Sequence, residues 1–205
     1  MKIAVINEVS AREKNEFIIK GLETTGVEIF NVGMTAESSE TELTYIHTGL
    51  MAGISLATKA ADFVVGGCGT GQGFLISSMQ YPGVYCGLIT SSLDAWLFSQ
   101  INGGNCISLA LNKGFGWAGD IDLRYIFEKL FSDPPGQGYP PNRSESQKNS
   151  RQILAKINAV THKDFKTILK EIDPEVLKCI SGHAPFIDFI QECSTQRDLI
   201  DYIIK

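Results

Sequence analysis

The stretch Ala61-Asp62-Phe63-Val64-Val65-Gly66-Gly67-Cys68-Gly69-Thr70-Gly71-Gln72-Gly73 decides the fold. The strand predicted at 62–66 contains the continuously apolar run 63–65, without polar alternation, which is typical of a parallel sheet covered on both faces. Glycines then alternate along the chain up to Gly73, so the backbone can turn sharply and leave N–H groups exposed. Helical spacing over 72–79 follows, and a strand, a loop and a helix in this order form one unit of an α/β fold.

Four further strand and helix pairs surround this unit. The other strands are predicted at 2–7, 27–32, 84–90 and 105–111, and the other helices at 11–24, 42–59, 92–101 and 118–131. Short β-branched runs that alternate with helical spacing predict parallel strands joined by crossover helices. We therefore predict an α/β fold with a doubly wound, five-stranded parallel sheet of Rossmann-like type.

A segment rich in proline and glycine, 132–141, ends this pattern. Such a segment forms neither a regular helix nor a central strand. Beyond it the spacing of apolar residues is helical, without strand signals. We predict an α/β domain over residues 1–140 and a C-terminal helical extension over residues 141–205, a candidate for oligomerisation.

Composition excludes several classes of protein. The 205 residues are 43% hydrophobic and 20% charged, with a net charge of −5 and no run of lysine or arginine, so a nucleic-acid partner is not expected. The mean hydropathy is +0.02, and no apolar run approaches the roughly 20 residues of a membrane span. Five cysteines without a CxxC pair or metal-ligand spacing favour a reducing, cytoplasmic setting and no metal.

The chemistry is expected where parallel strands end, because ligands of open parallel sheets bind beyond the carboxyl ends. Cys68 stands at such an end, in a loop whose backbone N–H groups could hold an oxyanion at a helix N-terminus. The same position favours the thiolate, which can act as a base or a nucleophile. A small buried residue in a tight turn is the structural alternative.

Two nucleotide motifs do not fit this loop. The dinucleotide fingerprint GxGxxG would need glycine where Phe74 and Ile76 stand, and no GK[ST] phosphate loop occurs in the chain. A nucleotide-dependent enzyme is therefore disfavoured, and no cofactor is predicted.

The segment Cys68-Gly69-Thr70-Gly71 resembles the corresponding loop of the ribose-5-phosphate isomerase B and galactose-6-phosphate isomerase family. The segments 61–65, 82–84 and 102–110 extend this resemblance over about residues 1–155. It implies an aldose-ketose isomerase that needs neither metal nor redox cofactor and forms at least a homodimer. It further implies that Cys68 moves a proton through a cis-enediolate and that backbone amides over 69–73 stabilise the oxyanion, including those of Gly69, Gly71, Gln72 and Gly73.

The chain departs from the family pattern at three places. Asn7-Glu8 stands where the family has Asp-His, Ile101 precedes Asn102 where the family has a ring-opening histidine, and Arg143 is left from a pair of phosphate-binding arginines. A substrate that is open-chain or lacks phosphate would need neither the ring-opening histidine nor the full pair of arginines. The chain resembles a longer-tailed branch that includes 4-deoxy-L-threo-5-hexosulose-uronate isomerase, while ribose 5-phosphate and galactose 6-phosphate stay open as substrates.

Several residues near the strand ends have two interpretations. Glu8 could accept a proton or bond to local backbone, and Thr70 could hold the oxyanion or stabilise the turn. Asn7, Tyr45, Asn102 and Arg143 are candidates for substrate binding, although Asn-Gly also forms ordinary turns and Arg143 could be a solvated surface residue. His47 is expected on a helix surface. A non-catalytic sugar sensor is the competing functional class.

Overall fold

Five parallel strands form one sheet in the computed structural model, which describes residues 1–38 and 42–204. The strand order is β2-β1-β3-β5-β4, and all four pairs of neighbours run parallel. This confirms the predicted fold class, and each predicted strand is present. The strands are β1 (Lys2–Asn7), β2 (Glu28–Asn31), β3 (Phe63–Cys68), β4 (Cys86–Ile89) and β5 (Cys106–Ala110).

Helices cover both faces of the sheet. The first five are α1 (Asn15–Glu23), α2 (Tyr45–Ala57), α3 (Gln72–Ser78), α4 (Ser92–Leu97) and α5 (Gly119–Leu130). Two helices predicted as single are composite: a 3-10 helix over Val9–Lys14 precedes α1, and a π-helical turn over Phe98–Asn102 follows α4. The N–H of Gly103 bonds to the carbonyl of Phe98, five residues back, which widens this last turn and ends it.

Side chains of each strand alternate between two hydrophobic cores. On β1, Ala4 and Ile6 pack with α2 and α3, whereas Ile3 and Val5 pack with α1 and α5, and all four are fully buried. This two-sided burial is the reason that the strand sequence reads as continuously apolar.

Within residues 144–204 the C-terminal segment forms five α-helices, which differ in whether they contribute buried residues to the core. These are α6 (Ser144–Thr161), α7 (Phe165–Glu171), α8 (Pro174–Ser181), α9 (Ala184–Cys193) and α10 (Arg197–Ile200). The helices after α6 share the core of α2 and α3, where Ile180 and Phe186 are fully buried. Nε2 of His183 also lies 3.0 Å from the carbonyl oxygen of Val32, next to the edge strand β2. The division of the chain at residue 140 stays a prediction.

Helix α6 differs from the other long helices because none of its residues is buried. Ile153, Leu154, Ile157 and Val160 lie at helical spacing and are exposed, Val160 by 83%. The rest of the helix consists of charged, amide and hydroxyl side chains and two alanines. Within the two described ranges, no helix is long and apolar enough to cross a membrane.

Candidate active site

Cys68 is the last residue of β3, and its thiol lies inside the turn that follows. Its Sγ accepts a hydrogen bond from the backbone N–H of Gly71 at 3.2 Å, and only 6% of the residue is exposed. Gly71 has a φ of +76°, and a Cβ atom there would lie 2.6 Å from Cδ1 of Leu88. The turn around the thiol therefore needs glycine for both its backbone conformation and its close packing.

Thr70 and Tyr45 lie at the surface of the same turn. Oγ1 of Thr70 is 3.9 Å from Sγ of Cys68 and accepts a weak hydrogen bond from the N–H of Gln72 at 3.4 Å. The ring of Tyr45 packs against Gly73, since a Cβ atom on that glycine would lie 2.9 Å from Cγ of the ring. Both side chains are exposed, so the structure brings them to the rim of the site beside the thiol.

Glu8 reaches the glycine-rich loop through Ser10. The Oγ–H of Ser10 donates to a carboxylate oxygen of Glu8, and the same Oγ accepts the backbone N–H of Gly69 at 2.9 Å. The N–H of Glu8 bonds to the carbonyl of Gly67 at 3.1 Å, so the ends of β1 and β3 are joined twice. Glu8 is only 6% exposed. Its carboxylate thus contacts the loop indirectly.

The loop after β5 holds the other side of Gly69. The backbone N–H groups of Asn112 and Lys113 donate to the carbonyl of Gly69 at 3.0 and 3.1 Å. Nδ2 of Asn112 donates to the carbonyl of Ser10 at 2.6 Å. Three strand ends, those of β1, β3 and β5, therefore meet at one glycine.

Asn7 is fully buried and turned away from the loop. Its Nδ2 donates to the carbonyl of Met34 at 2.7 Å, and its Oδ1 accepts Nδ2 of Asn15 at 2.6 Å. These contacts join β1 to the segment after β2 and to α1. The placement favours a structural role for Asn7, and its predicted role in substrate binding gains no support from these contacts.

Asn102 lies at the amino ends of the strands, whereas Cys68 lies at their carboxyl ends. Cys68 is level with Ala110 in the strand register, whereas Cys106, at the amino end of β5, is level with Val64. Four residues at about 3.3 Å each place these two levels about 13 Å apart, and Asn102 lies before Cys106 in the chain. One subunit therefore does not bring Asn102 and Cys68 together.

Arg143 lies near the same amino-terminal edge, just before α6. The preceding loop is attached to this edge because Gly136 and Gly138 donate backbone N–H groups to the carbonyls of Ser99 and Gln100. Nε of Arg143 contacts Oγ of Ser146 at 3.3 Å, and the residue is exposed.

Two polar residues that follow Arg143 in the chain, Gln147 and Arg151, are engaged in local structure. Gln147 makes two hydrogen bonds to the backbone of Tyr139 at 2.7 and 2.9 Å. Arg151 donates to the carbonyls of Ile101 and Gly136 at 2.8 and 2.6 Å. Both side chains hold the proline-rich loop in place, and Arg143 keeps a guanidinium directed to solvent.

The three histidines of the chain all have structural contacts. Nδ1 of His47 accepts the N–H of Thr44 at 3.1 Å in a capping box at the start of α2, and burial lowers the pKa of this imidazole. His162 contacts the carbonyls of Asn158 and Met79 at the end of α6, and His183 contacts Val32. The structure places no histidine at the thiol of Cys68.

Burial raises the pKa of three other cysteine thiols, which favours their neutral form. Cys106 faces Cys86 across neighbouring strands and is fully buried, and burial raises its pKa. Burial also raises the pKa of Cys179 and Cys193 in the tail. Within residues 1–38 and 42–204, no three His, Cys, Asp or Glu side chains are grouped so that they could hold a metal ion.

A cavity of about 370 Å³ adjoins the loop on the side of α5. Thr70 forms part of its wall, together with the ends of β4 and β5. The remaining lining comes from Leu88, Ile89, Thr90, Leu109, Ala110, Leu111, Lys113, Gly114, Phe115, Gly119, Asp122, Leu123 and Ile126.

A family model described as Ribose/Galactose Isomerase matches residues 3–120, which include β1 to β5 and the loop at Cys68. The chain belongs to the ribose/galactose isomerase family. This membership confirms the prediction of a sugar isomerase of the aldose-ketose type. A comparison with curated protein sequences gave no match.

Solved structures of ribose/galactose isomerases extend the similarity over the tail. A 4-deoxy-L-threo-5-hexosulose-uronate ketol-isomerase complexed with a tartrate is 42% identical, covering 99% of this chain and 97% of its own, with a TM-score of 0.96. A ribose-5-phosphate isomerase from Vibrio parahaemolyticus is 45% identical over 99% and 97% of the two chains, with a TM-score of 0.95. A ribose 5-phosphate isomerase from Thermotoga maritima shares the fold at 24% identity and a TM-score of 0.57, over 72% of this chain and 97% of its own.

Sequence reasoning missed two residues that contact the loop of the candidate site, Ser10 and Asn112. Each follows the end of a parallel strand by two or three residues, β1 for Ser10 and β5 for Asn112. Their position just beyond strand ends was the only sequence signal that could have indicated them. Their contact with Gly69 depends on the order of the strands in the sheet, which the sequence pattern does not give.

Proposed function

We propose that this isomerase converts an open-chain keto-uronate, 4-deoxy-L-threo-5-hexosulose uronate, in the cytoplasm, with Cys68 as the base. The observation that carries the choice of substrate is the placement of the histidines. All three make structural contacts, none lies at Cys68 within its own subunit, and Ile101 stands where the resemblance places the ring-opening histidine, so the chain supplies no imidazole at that position. An open-chain substrate needs no such group.

The uronate ketol-isomerase relative supports the same choice, because it matches nearly the whole chain, including the tail, at 42% identity. Its structure was solved with tartrate, a hydroxylated dicarboxylic acid, which is the chemical type of a sugar acid. A ribose 5-phosphate isomerase is the second candidate, since the Vibrio relative is 45% identical over a similar length.

The proposed reaction moves one proton between neighbouring carbons. The thiolate of Cys68 removes the proton from C2 of the aldose, and the electron pair of that C–H bond forms the C1–C2 double bond of a cis-enediolate. The same thiol then returns the proton to C1, and the proton of the C2 hydroxyl passes to the oxygen on C1, which yields the ketose. Backbone N–H groups of the loop and the hydroxyl of Thr70 stabilise the negative oxygen, a contribution that grows as charge develops in the transition state.

We propose that the complete site forms between two subunits of a homodimer. Asn102 and Arg143 lie at the opposite edge of the sheet from Cys68, so they can serve the thiol only in a partner subunit. The exposed apolar face of α6, the side chain of Ile76 on α3 and that of Met79, just after α3, provide a surface for that contact. The guanidinium of Arg143 then suits the carboxylate of the substrate.

Proton exchange tests the activity directly. The purified protein is incubated in deuterated water with the keto-uronate, ribose 5-phosphate or galactose 6-phosphate, and NMR follows conversion and deuterium incorporation, with Cys68→Ala as the control. Conversion of the uronate alone supports the proposed substrate, and conversion of a sugar phosphate favours the second candidate. Binding of these sugars without any exchange would favour a sensor.

Mixing two inactive variants tests the shared site. Cys68→Ala and Asn102→Ala each damage both sites of a homodimer, but their heterodimer keeps one site with both residues intact. Random exchange of subunits should restore about a quarter of the wild-type activity, since half of the dimers are mixed and each has one of two sites intact. No recovery, with subunit exchange shown by mass spectrometry, would contradict the shared site.

A further inference from the structure

We propose that Ser10 is a positioning residue of the isomerase: its Oγ holds the peptide group before Gly69, and through this glycine it keeps the next peptide group oriented so that the N–H of Thr70 points at the developing oxyanion. The inference rests on the proposed function for the identity of the oxyanion. The contacts that carry it are independent of which sugar is the substrate.

Ser10 fixes the peptide group between Cys68 and Gly69 from one end. Its Oγ accepts the N–H of Gly69 at 2.9 Å, while the carbonyl of Cys68 in the same peptide accepts the N–H of Leu111 at 3.0 Å. Glu8, nearly buried, accepts the hydroxyl hydrogen of Ser10 and so directs the lone pairs of Oγ towards Gly69. The peptide plane next to the thiol is thus held at both its donor and its acceptor.

The next peptide group is held through its carbonyl alone. The carbonyl of Gly69 accepts two N–H groups, from Asn112 and Lys113, at 3.0 and 3.1 Å. In a planar trans peptide the N–H points away from the C=O, so the N–H of Thr70 is directed away from the loop after β5. Within the described residues this N–H has no hydrogen-bond acceptor, and a donor with a fixed direction and no partner is what an oxyanion site requires.

Ser10 and Asn112 act together on this arrangement. Nδ2 of Asn112 donates to the carbonyl of Ser10 at 2.6 Å, which joins the two residues that hold Gly69. A Cβ atom on Gly69 would lie 3.1 Å from Oγ of Ser10 and 3.2 Å from Nδ2 of Asn112. Both side chains therefore lie close to Gly69. Loss of either side chain would remove a contact that limits the rotation of the peptide groups next to this glycine.

Ser10→Ala tests the role in turnover. Because a donor misplaced by about 1 Å can cost up to about 100-fold in rate, kcat should fall by about 10- to 100-fold while KM changes less than about 3-fold. Ser10→Thr keeps the hydroxyl and should recover most of the rate. The control, Ser132→Ala, removes an exposed hydroxyl that bonds to Lys129 and Asp133 at a distance from the site, and it should change neither constant.

A second readout is independent of turnover. The amide resonances of Gly69 and Thr70 in ¹H–¹⁵N spectra should shift or broaden in Ser10→Ala, with the thermal midpoint of unfolding close to wild type, and should return in Ser10→Thr. An unchanged Thr70 resonance would overturn the inference even if wild-type protein converted none of the sugars. A raised KM with unchanged kcat would overturn it as well, since Ser10 would then contact substrate directly.

Discussion

Sγ of Cys68 accepts a hydrogen bond from the N–H of Gly71 at 3.2 Å, so the thiol is enclosed by the turn that it begins. Glu8 follows the neighbouring strand β1. Ser10 links it to the loop of Cys68, because its hydroxyl bonds to both the Glu8 carboxylate and the N–H of Gly69. The candidate base and the candidate oxyanion donors thus belong to one hydrogen-bonded unit.

Replacement of the base should abolish turnover. Cys68→Ser keeps the size of the side chain but offers a hydroxyl that is hardly ionised near neutral pH, so kcat should fall by about 10²- to 10⁴-fold. NMR of the conversion or a coupled assay gives kcat, and the midpoint of thermal unfolding shows whether the variant is folded. Cys179→Ser in the tail is the matched control and should stay fully active, whereas activity above a tenth of wild type in Cys68→Ser would remove the thiol from the mechanism.

A methyl group at Gly71 should destabilise the fold more than one at Gly26. Both glycines have positive φ, +76° and +69°, so alanine is strained at either site by about 1–2 kcal/mol. At Gly71 the new Cβ would also meet Leu88 at 2.6 Å, while at Gly26 nothing lies within 4 Å. Denaturant unfolding should therefore show a larger loss for Gly71→Ala, and equal losses would mean that the loop relaxes freely.

Charge on the apolar face of α6 should dissociate the proposed dimer. Ile157 is 49% exposed on this face, and Ile157→Glu would place a carboxylate in the subunit contact. We expect sedimentation velocity to show monomers and activity to fall with dissociation. Ala155→Glu, on the opposite side of the same helix, is the control and should remain dimeric.

Acidification should weaken the attachment of the tail through His183. Burial lowers the pKa of this imidazole from 6.5, and the backbone carbonyl of Val32 only partly offsets that effect. His183 therefore binds a proton more readily in the unfolded chain than in the folded one. The free energy of unfolding that this residue contributes above pH 6.5 is lost as the pH falls towards its pKa in the folded protein. Thermal midpoints at pH 7.5 and 5.5 should show a smaller difference in His183→Gln than in wild type.

Truncation of Phe186 should show that the tail is part of the core. This ring is fully buried in the hydrophobic core that also contains the buried side chains of α2, and it packs near Phe189, so Phe186→Ala should cost about 3–5 kcal/mol of unfolding free energy. Ile121→Ala, on the exposed side of α5, should stay within about 0.5 kcal/mol. A loss below about 1 kcal/mol at Phe186, or a separate unfolding step, would favour a tail that folds by itself.

Local pattern was sufficient to predict the fold and the conformation of the loop that holds the candidate base, Cys68. The apolar run before Cys68 and the glycines after it specify a buried strand and a tight loop whatever the rest of the chain does, because both follow from short-range conformation and burial. The five strands were found for the same reason. The missing histidines at residues 8 and 101 could also be read directly.

The assembly of the site was decided by tertiary structure alone. Ser10 bonds to Gly69 across 59 residues and Asn112 bonds to Ser10 across 102, contacts that exist because β1, β3 and β5 are neighbours in the sheet. The same register separates Asn102 from Cys68 within one subunit. Residue types and spacing determine which chemistry is available, whereas strand order and register, set by the burial of whole faces, determine which groups can act on one substrate.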